Sequence, residues 1–241
     1  MLGFPIWLGL ASGVEHMSVA FRNKSQGFLS IGIFIAALSG ALFGATEFVI
    51  GEVRLAGFPS MVLGGQTAEA ELHQFETPFD NRIDAGALQI SLEKTPMSDV
   101  QKYIGGEIQS HTALGKSTRW LCYELSVDGL KRRIWFVADG QPKNGNNNLV
   151  NFISTEQIED HIQGCEAPRV NLAKLSLPVP TLKDSPDTLL KRFGASVKQG
   201  LVRYSNEQTN KAGEVVVQSL VYRIQDGAID AIAFSQATAH Q

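Results

Sequence analysis

The residues whose chemistry is easiest to state are the only two cysteines, Cys122 and Cys165. In an oxidising compartment an even pair is expected to bond. The bond would close a loop of about 44 residues, worth on the order of 4 kcal/mol in the chain-entropy view. Two other readings stay open: a pair of buried thiols, or a reactive or metal-binding site. A redox role favours CxxC spacing or a nearby activating histidine. His161 stands four residues before Cys165, which is no recognised arrangement. The other histidines are His16, His73, His111 and His240, and none completes HExxH or HxxxH. Glu156, Asp160, His161 and Cys165 would approach one another if residues 155–163 were helical, but a bonded Cys165 is lost as a ligand. No metal and no cofactor is therefore expected. Leu114-Gly115-Lys116-Ser117-Thr118 imitates the end of a phosphate-binding loop, yet Ser110 stands where the motif needs its first glycine. There is no GxSxG and no GxGxxG. Catalytic residues are not assigned.

Trp120, Tyr123, Trp135 and Phe136 form the most aromatic patch. Either all four belong to the core, or the strands that carry them expose some as interface anchors. They are taken as the candidate binding residues.

The elements that must position these side chains begin with a long apolar run, Phe28 to Ile50. Phe28 to Thr46 carries no charge, and about 20 apolar residues suffice for a transmembrane helix. Arg22 and Lys24 precede it, while Glu47 and Glu52 lie at and beyond its end, so the N-terminus is expected in the cytoplasm and the body outside. The reading is an inner-membrane, single-pass anchor with the C-terminal body in the periplasm. Cleavage as a signal peptide after Ser39-Gly40-Ala41 is the alternative. Gly32, Ala36, Gly40 and Gly44 recur every four residues, a spacing that lets membrane helices approach closely and self-associate. Residues 1–27 are the cytoplasmic lead, and 1–16 lie ahead of a second start, Met17, that opens an ordinary basic segment.

Composition bounds the rest. The chain has 241 residues, 44% hydrophobic and 19% charged, with a formal net charge of −3. That balance argues against disorder and against nucleic-acid binding. Residues 51–87, broken by Gly57-Phe58-Pro59, Gly64-Gly65 and Thr77-Pro78 and acidic at Glu69, Glu71, Glu76 and Asp80, read as a tether with a short helix around Ala68 to Phe75.

From Leu88 the chain repeats one order of elements, predicting modules at 88–168 and 169–241. In the first, a strand (88–93) leads to a helix whose face is Val100, Tyr103 and Ile104, stopped by Gly105-Gly106. Strands at 119–127, 131–138 and 149–154 follow, with turns at Asp128-Gly129 and Asp139-Gly140. In the second, a strand (170–177) leads to a helix after Asp184-Ser185-Pro186 with Leu189, Leu190 and Phe193 on its face, stopped by Gly194. Strands at 200–207, 214–224 and 229–236 follow, with a turn at Asp226-Gly227. The fold class is thus α+β: an N-terminal transmembrane helix followed by two tandem strand–helix–three-stranded antiparallel meander modules.

This order, carried by Met97-Ser98-Asp99-Val100, Tyr103-Ile104-Gly105, Trp120, Tyr123 and Trp135-Phe136-Val137 in one half, resembles the small outer-membrane assembly lipoproteins of the BamE/SmpA type and the related β-lactamase-inhibitor-protein fold. Leu189-Leu190, Phe193-Gly194, Tyr204 and Tyr222 carry it in the other half. No cysteine precedes Cys122, so the lipid-bearing cysteine of those lipoproteins is absent. The resemblance implies action by binding other proteins. The expectation is a membrane-anchored, periplasm-facing protein-binding module of the bacterial envelope. Its partner is an envelope or membrane protein, not nucleic acid, and it self-associates through the membrane helix. The alternatives are a cell-envelope hydrolase or transferase, and a secreted periplasmic binding protein.

Overall fold

Asp128-Gly129 and Asp226-Gly227 are the local devices from which the architecture grows. Both residues of each pair hold positive φ, 51° and 75° in the first and 51° and 74° in the second, the backbone of a tight two-residue hairpin. Each turn joins two long antiparallel strands. The computed structural model describes residues 54–113, 116–140 and 148–239. In chain order the elements are α1 (Gly57–Leu63), β1 (Glu71–Gln74), β2 (Arg82–Ala85), β3 (Leu88–Ser91), α2 (Met97–Ile104), β4 (Gln109–Ala113), β5 (Lys116–Val127), β6 (Leu130–Gly140), β7 (Phe152–Gln157), β8 (Leu175–Ser176), α3 (Pro186–Phe193), β9 (Gly200–Thr209), β10 (Val215–Gln225) and β11 (Ala228–Ala239). A single 3-10 turn, Leu172–Lys174, precedes β8.

Eight strands form one sheet in the order β1-β9-β10-β11-β7-β6-β5-β4, and β3-β2-β8 form a small second sheet. Every neighbouring pair is antiparallel except β1 with β9, which is parallel. The halves expected as separate modules meet at β7 and β11, where Ala231 to Ser235 pair with Glu156 to Phe152. The Ser154 hydroxyl adds a bond to the Ile232 carbonyl at 3.0 Å. This corrects the fold class: the described body is mostly β and built on one mixed eight-stranded sheet, with both meanders sharing it. The described residues all fall within one compact unit, Val49–Gln241.

The expected transmembrane helix and inner-membrane, single-pass placement are corrected as well. No helix among the described residues is long and apolar enough to cross a membrane, since α1, α2 and α3 have only seven or eight residues each. The run 28–50, with Gly32, Ala36, Gly40 and Gly44, lies outside the described residues.

One face of the large sheet carries α2, α3 and the small sheet. Leu121, Tyr123, Ile134, Phe136, Val202, Tyr204, Tyr222 and Phe234 point into this layer with Val100, Ile104 and Leu189 from the helices. Leu189 and Phe193 of α3 face inward as its periodicity predicts, whereas Leu190 stays half exposed. The same clasp occurs in each half. The Tyr123 hydroxyl donates to the Gly105 carbonyl at 2.7 Å, and the Tyr204 hydroxyl donates to the Ala195 carbonyl at 2.6 Å. Each bond ties a buried strand to the residue at or just after a helix-stopping glycine. Burial pushes both phenols well above their ordinary range, so they act as neutral donors.

Residues 54–87 are part of this body. The expected helix near 68–75 is instead β1, added to the edge of the sheet. The extended stretch after it is held by buried amides. Asn206 Nδ2 donates to the carbonyls of Phe75 and Glu76, and Gln218 exchanges two bonds with the Phe79 backbone. Asp139-Gly140 closes β6 and makes no tight turn there, because Asn151 brackets the Asp139 backbone with two side-chain bonds. Replacing Tyr123 or Tyr204 with Phe leaves a carbonyl without its donor. Each change should cost about 1 kcal/mol, read as a lower urea midpoint at unchanged slope.

Candidate functional site

The opposite face of the large sheet carries no helix of the α2–α3 layer, and its chemistry differs. Cross-strand register lines up Glu124 on β5, Arg133 on β6, Glu156 on β7, Ala231 on β11 and Arg223 on β10. Four of these five are charged, and Asp230 joins the row from the β10–β11 irregularity, held by Arg223 at 2.9–3.0 Å. Arg133 sits between two carboxylates, with Nη2 2.6 Å from Glu124 and Nη1 3.3 Å from Glu156. Arg223 reaches Glu156 from the other side at 3.7 Å. Arg133 and Glu156 are almost fully buried, so each compensates a charge the other could not carry alone.

α1 lies over this row. Ala231, Ala233 and Ser154 give it a seat of small side chains, and Phe58 sits wholly buried among Trp135, Cys122 and Phe152. The Phe58 amide donates to Glu156 Oε2 at 3.1 Å, and the Arg223 guanidinium stands 5.3 Å over the Phe58 ring. Gly57 has φ +67°, and a Cβ there would collide with Glu156 Oε1 and the Trp135 ring. Only glycine lets the chain enter α1 so close to the sheet.

A second segment, residues 158–166, comes alongside β5 at Cys122 to Glu124. Cys165 bonds to Cys122, confirming the disulfide. Glu166 pairs in parallel with Tyr123, with bonds from Glu166 N to Cys122 O and from Glu124 N to Glu166 O. Glu124 gathers this segment: Oε1 accepts from Ile162 N at 3.1 Å, and Oε2 meets His161 Nδ1 at 2.6 Å. Burial by itself would raise the Glu124 carboxyl. The bonds from His161, Arg133 and Ile162 outweigh it and leave the group lowered. Glu156 goes the other way, since burial raises it and Arg223 and Arg133 offset only part of that.

The aromatic residues named from sequence are all buried: Trp120 and Trp135 on the α1 face, Tyr123 and Phe136 on the helix-covered face. Alternation along β5 and β6 splits them between layers, and none is an exposed anchor. Residues 158–163 are not helical, and no group of three or more metal-binding side chains occurs among the described residues. His161 is exposed beside Glu124, whereas His111 lies on β4. The sequence reading passed over the charged row. Its signal was present: Glu156 and Arg223 are the single charges of their strands, and Arg133 ends the run Lys131-Arg132-Arg133 where the apolar part of β6 begins. Beyond α1 the same face continues as Ser205, Ser219 and Ser235 in one register row, then Glu207, Val217 and Ala237 in the next. Of these, Val217 and the three serines are half-buried, and Glu207 and Ala237 are exposed.

Comparison with protein-family models, with curated proteins and with solved structures returns no match. The likeness to the BamE/SmpA type therefore rests on the residues quoted for it.

Three outcomes follow from the row and its staple. For Glu124, stability relative to Glu124→Gln should be present above about pH 4.5 and lost as pH falls through the lowered folded value. For Glu156, stability relative to Glu156→Gln should be greatest at low pH and fall as pH rises through the raised folded value. Urea titrations across pH 3–8 check both signs. Replacing Cys122 and Cys165 with Ser should cost about 4 kcal/mol, read as a lower melting temperature that reductant no longer changes.

Proposed function

We propose that the chain is an exported protein-binding module that recognises its partner through the open part of the α1 face. The observation that carries this reading is the row Ser205, Ser219, Ser235 with Val217 and Ala237 beside it. These side chains are small, so the sheet surface there is flat. They sit directly beside the rows where α1 already packs, on a face that accepts a helix. A low-relief face of this kind, polar at the three serines and edged by exposed Glu207, suits a second layer supplied by another protein. The disulfide supports an oxidising, exported setting.

A second reading draws on the Glu124–His161 pair. His161 meets Glu124 through Nδ1 at 2.6 Å, and both line a cavity of about 270 Å³ together with Ser126 and Lys131. That arrangement is the start of a hydrolase site, with carboxylate, base and hydroxyl on one wall.

Photo-crosslinking in the native host separates the two. A crosslinker at Ser219 or Val217 should give one discrete protein adduct, abolished by Ser235→Arg and kept in His161→Ala. Adducts arising only from a control position on α3, such as Asp187, would refute the binding face. Labelling of Ser126 by a serine-reactive fluorophosphonate, lost in His161→Ala, would favour the hydrolase.

A further inference from the structure

The edge strand β1 and the cleft at its end form a second surface, reached from the rim of the sheet: Leu72 and Gln74 share the α1 face with Arg203 and Ser205, while His73 lies on the other face with Tyr204. Phe75 N donates to Ser205 O at 3.0 Å, continuing the parallel register of β1 on β9. Backbone groups alternate in direction along a strand, so His73 and Glu71 also face β9. The amides and carbonyls of Leu72 and Gln74 therefore face outward, and β1 is the last strand on its side of the sheet. Natural edges are commonly guarded by lysine, proline or a bulge. β1 is short and carries the charge of Glu71, two further guards, but it reads Glu-Leu-His-Gln with no lysine, proline or bulge, and Leu72 is 49% exposed.

Where β1 ends, a cleft of about 350 Å³ opens between the chain and the C-terminus of α3. Phe75, Pro78, Phe79 and Phe193 line it together with Glu76 and Arg192. Phe75 stands 5.6 Å from Phe79 and 5.7 Å from Phe193, so the apolar walls are held by ring contacts. Phe75 shares its face of the sheet with His73, whose ring lies 5.7 Å from Tyr204. A strand laid on the outer edge of β1 would place one side chain of that face at the mouth of the cleft. Exposed Glu69 precedes the strand, exposed Glu71 opens it and exposed Glu76 follows it, Glu71 also meeting His73 at 3.1 Å.

We infer that β1 captures an extended, basic segment of another protein as a ninth strand, with one apolar side chain of that segment in the Phe75–Phe79–Phe193 cleft. Main-chain bonds to Leu72 and Gln74 supply affinity, while the cleft and the acidic flank supply selectivity. Charge chooses the occupant: the three glutamates favour a lysine- or arginine-rich strand over an acidic one.

The test uses the intact chain and fluorescein-labelled Lys-Val-Lys-Phe-Lys-Val-Lys. Fluorescence anisotropy should give a Kd on the order of 10 μM, and the sequence with glutamate at every lysine should bind at least about ten-fold more weakly. Amide exchange at Leu72 and Gln74 should slow on binding. Leu72→Pro removes one outward donor and should weaken binding at least about ten-fold. N-methylation of alternate peptide amides should do the same with the protein unchanged, which covers the case that Leu72→Pro fails to fold. Glu71→Lys with Glu76→Lys should also weaken it. Binding that ignores both the proline and the N-methyl groups, or no binding at all, would overturn the inference. So would a dimer of this chain that Leu72→Pro dissociates, because a second copy would then own the edge. Ser219→Arg should leave the peptide affinity unchanged, so failure here and failure of the α1 face are distinguishable.

Discussion

The pairing of β7 with β11 is the contact on which the rest of the body depends. Each belongs to a different meander, and each would be an open edge without the other. Their union turns two small sheets, neither wide enough to hold a layer on both faces, into one of eight strands. β7 is buried on both sides from Phe152 to Glu156 as a result. A strand in that position cannot alternate between oil and water. Its two inward directions instead alternate between an apolar layer and a polar one, with Phe152, Ser154 and Glu156 on the α1 side. The buried carboxylate is tolerable because Arg133 and Arg223 stand on the flanking strands and Phe58 donates from above. A charge placed at the seam thereby decides where α1 can sit.

Much of the layout was legible because it is written in local signals. The Asp-Gly pairs at 128 and 226 require positive φ at both positions and so announce hairpins. Gly105 and Gly194 stop helices for the same reason, and period-two alternation marks β9 to β11. What failed to read was non-local. Glu71 to Gln74 has no strand pattern of its own and becomes a strand only because β9 presents an edge to it. The stretch from Phe75 to Phe79 looks like a tether until the amides of Asn206 and Gln218, some 130 residues away, are seen to grip its backbone. The aromatic residues misled for a related reason. Trp120 and Trp135 look free when α1 is unforeseen, and α1 is a seven-residue helix with no side-chain N-cap bond, whose first-turn proline reads from sequence as a break although that position tolerates it.

The two covered faces differ in what secures them. The α2–α3 layer relies on interdigitated aromatic and aliphatic side chains, with two tyrosine clasps at the helix ends. The α1 side relies on a few specific devices: one phenylalanine, one glycine, one disulfide and a chain of charges. Area favours the first and geometry favours the second. An electrostatic seat is more sensitive to pH and to single substitutions than an apolar one, because a removed partner leaves an uncompensated charge. The α1 side is accordingly the one whose occupancy a solution condition can alter.

The parallel contact of β1 with β9 has a temporal side. In a chain made from its N-terminus, Glu71 emerges long before Val202, the residue it must lie beside. During that interval its neighbourhood has no sheet to join, and the grip of Asn206 and Gln218 does not yet exist. Contacts of such long sequence separation form late and slowly. The first strand of the body thus waits for a partner made much later. Until then it is a segment that a chaperone or a protease can still handle.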